Sequence, residues 1–449
     1  MLTLFDTLSK SKRDINVSGR PVRLYSCGPT VYDHAHIGNL RSFIFADTIV
    51  RTLEYNRQEV DWVMNITDVD DKTIKKTIAE FGETATPSEL KELTSRHAKT
   101  FLADLEALNI DTKRIRFINV SDVIPQIQKF ILELLDKGYA YTADDGSVYF
   151  SIEKYQTDFG DYGELVGTGF LEGKKVGARV AVDEYEKDNL SDFALWKARH
   201  ADDGQIFWTH GKLADGRPGW HIECSVINQI AFDSQPTDIH TGGVDLIFPH
   251  HTNEIAQSQP FYKPFTKHWA HSEHLQINGS RMAKREKNFI TLSDLQKSST
   301  LAGPALRYLF LQSDLRSQQN FTDESFEAAQ NGLQRLYNTY ELSNSDGATK
   351  VPEKFASALN NDLNTAEAIA TLHETDLSKA TQDAMDTVFG LGLNRKPIEL
   401  PDEVTSLVTE RQGARDSKDF TRSDELRAQI ESLGYEVKDT NDGQKVTKK

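Results

Sequence analysis

Cysteine is scarce in this 449-residue chain, where only Cys27 and Cys224 occur. Two thiols so far apart exclude a disulfide framework and any CxxC zinc ribbon or redox motif, and they can act jointly only if folding brings them together. No apolar run approaches the roughly 18 residues of a membrane-spanning helix, and the start, MLTLFDTLSKSKRD, lacks the basic, apolar and small-residue regions of a signal peptide. The expectation is a cytoplasmic protein with no membrane partner. An excess of positive charge is missing too. Lysine and arginine number 52 against 68 acidic residues, a formal charge of −16, which excludes bulk attraction to nucleic acid and confines any RNA contact to local patches. Repeats and low-complexity tracts are absent, and 38% hydrophobic with 27% charged residues excludes disorder.

What is present is room for about three domains by length. VRLYSCG reads as a buried strand, NLRSFIFADTIVRTLEY as an amphipathic helix and QEVDWVMNIT as a second strand. That βαβ order implies a parallel sheet. A polar helical stretch follows from about Thr67 to Ala107, and from Asp111 to about Ser191 short elements alternate with a Gly-rich loop, as an insertion would. The strand-and-helix rhythm returns with GWHIECSVINQIAF, TDIHTGGVDL and FPHHTNEIAQSQPF. After about Gly303 apolar residues recur at spacings of three and four, the pattern of a helix bundle. A last unit from Pro401 reads as two helices and a hairpin, with nine basic and eleven acidic residues.

Four side chains stand out against this background. Cys27 ends a strand, Cys224 lies in the returning βα rhythm, and His250 and Glu254 are four apart after a proline, on one helix face. Each has an ordinary reading alone: a small buried hydrophobe for either cysteine, a helix-stabilising pair for His250 and Glu254. Together, at the strand ends of one sheet where ligands bind, they make a complete tetrahedral zinc set of two thiolates, an imidazole and a carboxylate. The carboxylate is the weakest of these ligands, so a substrate thiol is a natural additional one.

Two further segments point to phosphate. HIGN, His36 to Asn39, opens a helix after a strand, where free amides and the positive dipole end meet anions, where Gly38 permits close approach and where His36 can donate to a phosphate oxygen. A plain capping turn explains the same four letters. RMAKR, Arg281 to Arg285, is a basic loop in which Lys284 could meet a triphosphate, though most basic loops are merely solvated.

The chain resembles the class I cysteinyl-tRNA synthetases. CGPTVYDHAHIGN, NITDVDDK, DFALWK, GRPGWHIECS, DIHTGGVDLIFPHHTNEIAQS and HWAHSEHLQINGSRMAKR occur in that family's order across the whole chain. The resemblance implies a Rossmann-type α/β catalytic domain in two halves, 1–110 and 192–302, split by a connective insertion, 111–191. A helix bundle at 303–398, contacting the tRNA stem, and a C-terminal anticodon-recognition domain at 399–449 would follow. It implies ATP-dependent formation of cysteinyl-adenylate and transfer of cysteine to tRNA-Cys, by a monomer, with one Zn²⁺ and with Mg²⁺ accompanying ATP. Carried over position by position, zinc falls to Cys27, Cys224, His250 and Glu254, catalysis to His36, Asn39 and Lys284, and ATP contacts to these together with Gly38, Gly242 and Gly243. Thr67, Trp220, His240 and Asp245 match positions around the amino-acid pocket, Trp220 as a wall and Asp245 at the ammonium group. Thr67 has a helix-start reading, Trp220 a core reading and the two glycines a turn reading beside these.

A zinc site also suits the discrimination problem. Cysteine and serine differ in one chalcogen atom, which packing distinguishes poorly, whereas thiolate-rich zinc favours a thiolate over an alcohol. Two departures from the family matter. The last His of the usual HIGH tetrad is Asn39, which keeps a donor but cannot become cationic. The KMSKS pentad keeps its methionine, Met282, and its second lysine, Lys284, but the first lysine and both serines are replaced, leaving rate and ATP affinity open. Two other readings stand beside the tRNA ligase: a related ligase joining cysteine to an amino sugar, and a zinc- and nucleotide-binding protein without catalysis.

Overall fold

The computed structural model describes residues 1–167, 176–180, 190–282, 288–345, 347–374, 376–394, 401–440 and 443–448. Five parallel strands form the central sheet: β1 (Val22–Ser26), β2 (Val60–Ile66), β3 (Ile115–Asn119), β4 (Ile239–Gly243) and β5 (Trp269–Ser272). Their order is β3-β2-β1-β4-β5, with Leu24 paired to Trp62 on one side and to Ile239 on the other. This is a doubly wound sheet whose strand order reverses between β1 and β4, leaving a crevice at their carboxyl ends. Inner strands read as continuous apolar runs because both faces are covered: Leu24, Tyr25, Trp62, Val63 and Met64 are all buried.

The helix after β1, α1 (Ile37–Tyr55), is almost wholly buried, since the sheet covers one side and the later helices the other. The polar stretch expected from Thr67 to Ala107 divides into helices Asp71–Phe81 and Pro87–Ala107, because Gly82 adopts a positive φ of 91° and Pro87 opens the next helix.

The central sheet reaches into the segment expected as an insertion, 111–191. Ile115–Asn119 pairs along β2 as the edge of that sheet. Ala140–Thr142, Val148–Phe150, Leu190–Ala198, Trp208–His210 and Leu213–Pro218 join in a separate, mainly antiparallel sheet, which reaches into the segment expected to be the second catalytic half. The signal missed was pairing: Ile115–Asn119 is short and half-exposed, and only its partner β2 reveals which sheet it joins.

A small sheet follows β5, with Leu275–Ile277 antiparallel to Ser280–Arg281 and parallel to Gln319–Phe321. Helices Ala302–Leu311, Asp323–Leu342, Glu353–Asn360, Thr365–Ala370 and Lys379–Phe389 pack against α1 in one continuous core. Gly303 allows this approach, as a Cβ there would stand 1.9 Å from the Ala107 carbonyl oxygen. Buried Arg307 bonds Asp47 of α1 at 2.5 Å, and Arg51 holds the same carboxylate at 2.7 Å. The last unit is two helices, Asp402–Asp416 and Phe420–Ser432, and the hairpin Tyr435–Thr440 with Gly443–Lys448, around Val404, Ile430, Tyr435 and Val437. No helix among the described residues is long and apolar enough to cross a membrane.

Candidate metal and nucleotide site

β1 ends at Ser26, so Cys27 emerges into the crevice between β1 and β4. Cys224 faces it from α2 (Trp220–Ala231), and beyond β4 a wide helical turn, Ile247–His251, runs into α3 (Thr252–Ser258), which carries Glu254. Folding brings the four ligand atoms of Cys27, Cys224, His250 and Glu254 within 4.8 Å of one another. The two sulfurs are 3.8 Å apart, His250 Nε2 lies 3.4 Å from the Cys224 sulfur, and 3.2 Å separates that nitrogen from Glu254 Oε1.

This cluster could hold a metal ion. Burial, then the neighbouring Cys224 and Glu254, push the Cys27 thiol well above its ordinary range. Burial also holds His250 down to about 3, so its imidazole is neutral with a lone pair to give. Two soft sulfur donors, a neutral imidazole and a buried carboxylate fit a divalent borderline-soft metal, and binding it would release the thiol protons.

Around these four lies a shell of histidines that the sequence reading largely missed. His240 Nε2 is 3.0 Å from Glu254 Oε2, and His251 Nε2 is 3.3 Å from the Cys27 sulfur. His251 leans in turn on His271 at 2.7 Å, and His271 on the Thr7 hydroxyl at 2.7 Å. His221 lies 3.1 Å from His250. Five of the chain's thirteen histidines thus converge here. Their crowding in FPHH and HWAHSEH was the signal available, and folding adds a second group, Cys27, His240, His251 and Glu254, whose ligand atoms also lie within 4.8 Å of one another.

Trp220, half-buried, stacks on the His250 ring with centroids 4.2 Å apart, a wall beside the cluster. Thr67 is buried and its hydroxyl is engaged on both sides, donating to Glu223 at 3.0 Å and accepting from Asn65 at 2.9 Å. It ties the end of β2 to α2. Asp245 is exposed just after β4. Both glycines of β4 have a reason inside the protein: a Cβ on Gly242 would stand 2.7 Å from His251 Cε1, and one on Gly243 2.4 Å from Asp245 Oδ1.

His36 caps α1. Its Nδ1 accepts the Asn39 amide N–H at 3.1 Å, which places the ring proton on Nε2 as a donor, while Asn39 Oδ1 accepts the His36 N–H at 3.4 Å. Gly38, in the first turn, has the His36 ring 3.1 Å from where its Cβ would be. Phe289 packs edge-on to the His36 ring, and Ile37 N–H bonds the Ile290 carbonyl at 3.0 Å. The segment leaving RMAKR therefore lies against the helix start that was expected to meet phosphates. Lys284 itself lies outside the described residues.

Residues 14–331 match the family described as tRNA synthetases class I (C) catalytic domain, 354–387 a DALR domain, and 398–446 the Cysteinyl-tRNA ligase anticodon binding domain. The cysteine-tRNA ligase of Chlamydia felis is 42% identical over 481 aligned residues, covering 100% of this chain and 98% of its own. The chain belongs to the class I cysteinyl-tRNA ligases. The ligase of Chlamydia caviae is 41% identical, again over 100% of this chain and 98% of its own. Among solved structures, methionyl-tRNA synthetase of Mycobacterium tuberculosis with bound methionyl-adenylate has TM-score 0.55 at 13% identity, over 83% of this chain and 89% of that one. A leucyl-tRNA synthetase from Agrobacterium radiobacter has TM-score 0.54 at 11% identity, over 84% and 83%. The cysteinyl-tRNA ligase chain therefore shares the class I synthetase fold.

Proposed function

We propose that the protein activates L-cysteine with ATP to cysteinyl-adenylate and transfers the cysteinyl group to tRNA-Cys, with Zn²⁺ at Cys27, Cys224, His250 and Glu254 and Mg²⁺ accompanying ATP. The supporting observation is the convergence of those four side chains at the β1/β4 switch point, on the sheet edge from which α1 and its His36 cap begin. When bound, zinc supplies a Lewis acid that favours the substrate thiolate over an alcohol. The chain does the rest. Trp220 walls the amino-acid side, His240 holds Glu254 in place, and Asp245 is assigned to the ammonium group. Thr67 serves the pocket by fixing Glu223. His36 Nε2–H and the first amides of α1 meet the phosphates as charge develops, Gly38 keeps that approach clear, and Asn39 fixes the His36 tautomer through its own amide. Gly242 and Gly243 carry adenosine past β4, and Lys284 is assigned to the triphosphate.

We further assign the insertion to residues between β3 and α2, the bundle to tRNA stem contact and the C-terminal unit to the anticodon. The amino-sugar reading loses ground to the match of residues 398–446 with an anticodon-binding family. Cysteine-dependent ATP–pyrophosphate exchange tests the activation step. Exchange with cysteine, lost on chelation and restored by zinc, supports it, and none from zinc-loaded protein overturns it.

A further inference from the structure

Five residues beyond its His36 cap, α1 carries a cation that the chemistry above does not use. Arg41 is fully buried, and the carboxylates of Glu273 and Asp314 act on it only through space. Its guanidinium donates to three backbone carbonyls: Glu273 through Nη1, and Asp314 at 3.2 Å and Ser317 at 2.8 Å through Nη2. Burial lowers its pKa to about 10, which leaves it charged at neutral pH.

The three carbonyls belong to two segments with a common destination. Glu273 joins β5 to Leu275–Ile277, and the turn at 314–317 leads into Gln319–Phe321. Those strands pair in parallel, and the first turns back into Ser280–Arg281. On the far flank, Asn288 donates to the Arg281 carbonyl at 3.1 Å, and Phe289 and Ile290 lie on His36 and Ile37. A carboxylate would tie Arg41 to one side chain. Three carbonyls let its planar fork bridge two segments at once, which an ammonium cannot reproduce.

We propose that Arg41 is a positioning residue for the nucleotide step: it sets the spacing between the phosphate-facing start of α1 and the strand pair that leads into Arg281 and Met282. The proposal rests on the adenylation reading above.

The test uses full-length, zinc-loaded protein and steady-state ATP–pyrophosphate exchange with R41K and D314A. Asp314 is exposed, and its Oδ1 accepts the Arg316 N–H at 2.8 Å, shaping the turn that presents two of the three carbonyls. R41K should raise the KM for ATP by about tenfold, D314A by a smaller factor, with the KM for cysteine and the zinc content unchanged. An unchanged ATP KM in both variants overturns the proposal. So does a parallel rise in the cysteine and ATP KM values accompanied by a lower melting temperature, the mark of a merely structural residue. Should R41K not fold, D314A decides alone. Wild-type protein without exchange would overturn the adenylation reading, and this proposal with it, whereas active wild type with no ATP effect removes the Arg41 role only.

Discussion

Cys224 sits on a helix and Cys27 at a strand end, almost 200 positions apart, yet their sulfurs are 3.8 Å from each other. Neither is compelling alone; with His250 and Glu254 they form a buried group that could hold a metal ion. C224S should drop zinc from one per chain to near zero and cut cysteine-dependent exchange by more than about a hundredfold, read by metal analysis and exchange on the same sample. A variant that kept its zinc would show that the sulfur is not a ligand. Asp104 offers a separate check on burial. Its carboxyl is held up to about 6 by desolvation, so the folded state binds this proton more tightly than the unfolded chain. Its ionisation therefore costs stability from the ordinary carboxylate range upward, and the cost is complete above that raised value. D104N should raise the melting temperature at pH 7.5 and leave it unchanged at pH 3.5; equal shifts at both would contradict the sign. At this scale the group of Cys27, Cys224, His250 and Glu254 was readable from residue type and spacing, whereas the places of His251 and His271 were not. Their places depend on which ring nitrogen of His251 faces Cys27 and which meets His271, and that is a matter of rotamer and tautomer.

Elements place these groups, and two contacts show how tightly. β4 runs so close to α3's lead-in turn that Gly242 has His251 where a Cβ would be. G242A should force the His251 ring from Cys27, weaken zinc binding and cost about 1–3 kcal/mol of stability by overpacking, measured by chelator competition and denaturant unfolding. Wild-type values for both would mean the ring has room to shift. α1 is tied to the helical region through Asp47, which holds Arg307 and Arg51. D47A leaves Arg307 buried without its carboxylate and should cost about 3–5 kcal/mol; a loss under 1 kcal/mol would show that the carbonyls of Phe389 and Leu108, which also bond Arg307, suffice. The sequence made α1, β1 and β2 legible because long buried elements carry strong patterns. Ile115–Asn119 misled because edge strands take their identity from a partner, and Gln319–Phe321 is too short to signal anything before it pairs with Leu275–Ile277.

Across the whole molecule the formal charge is −16, so recognition of tRNA, itself acidic, has to rely on local features. Phe420, 65% exposed at the start of its helix, offers a face on which a base can stack, and it lies within the segment matching an anticodon-binding family. F420A should raise the KM for tRNA about tenfold or more while cysteine-dependent exchange, which needs no tRNA, keeps its rate; an unchanged tRNA KM would remove Phe420 from the interface. The order of sheet, bundle and C-terminal unit was legible from periodicity, but the reach of the antiparallel sheet was not, since antiparallel pairing between Trp196 and Pro218 joins segments that composition separates. The central claim is that the buried cluster holds a metal that receives the substrate's sulfur. Replacing zinc with cobalt(II) and recording the absorption spectrum tests it most directly. Cysteine should strengthen the sulfur-to-cobalt charge-transfer band by about one further thiolate, and serine should leave it unchanged. Identical spectra with cysteine, serine and neither would contradict the account.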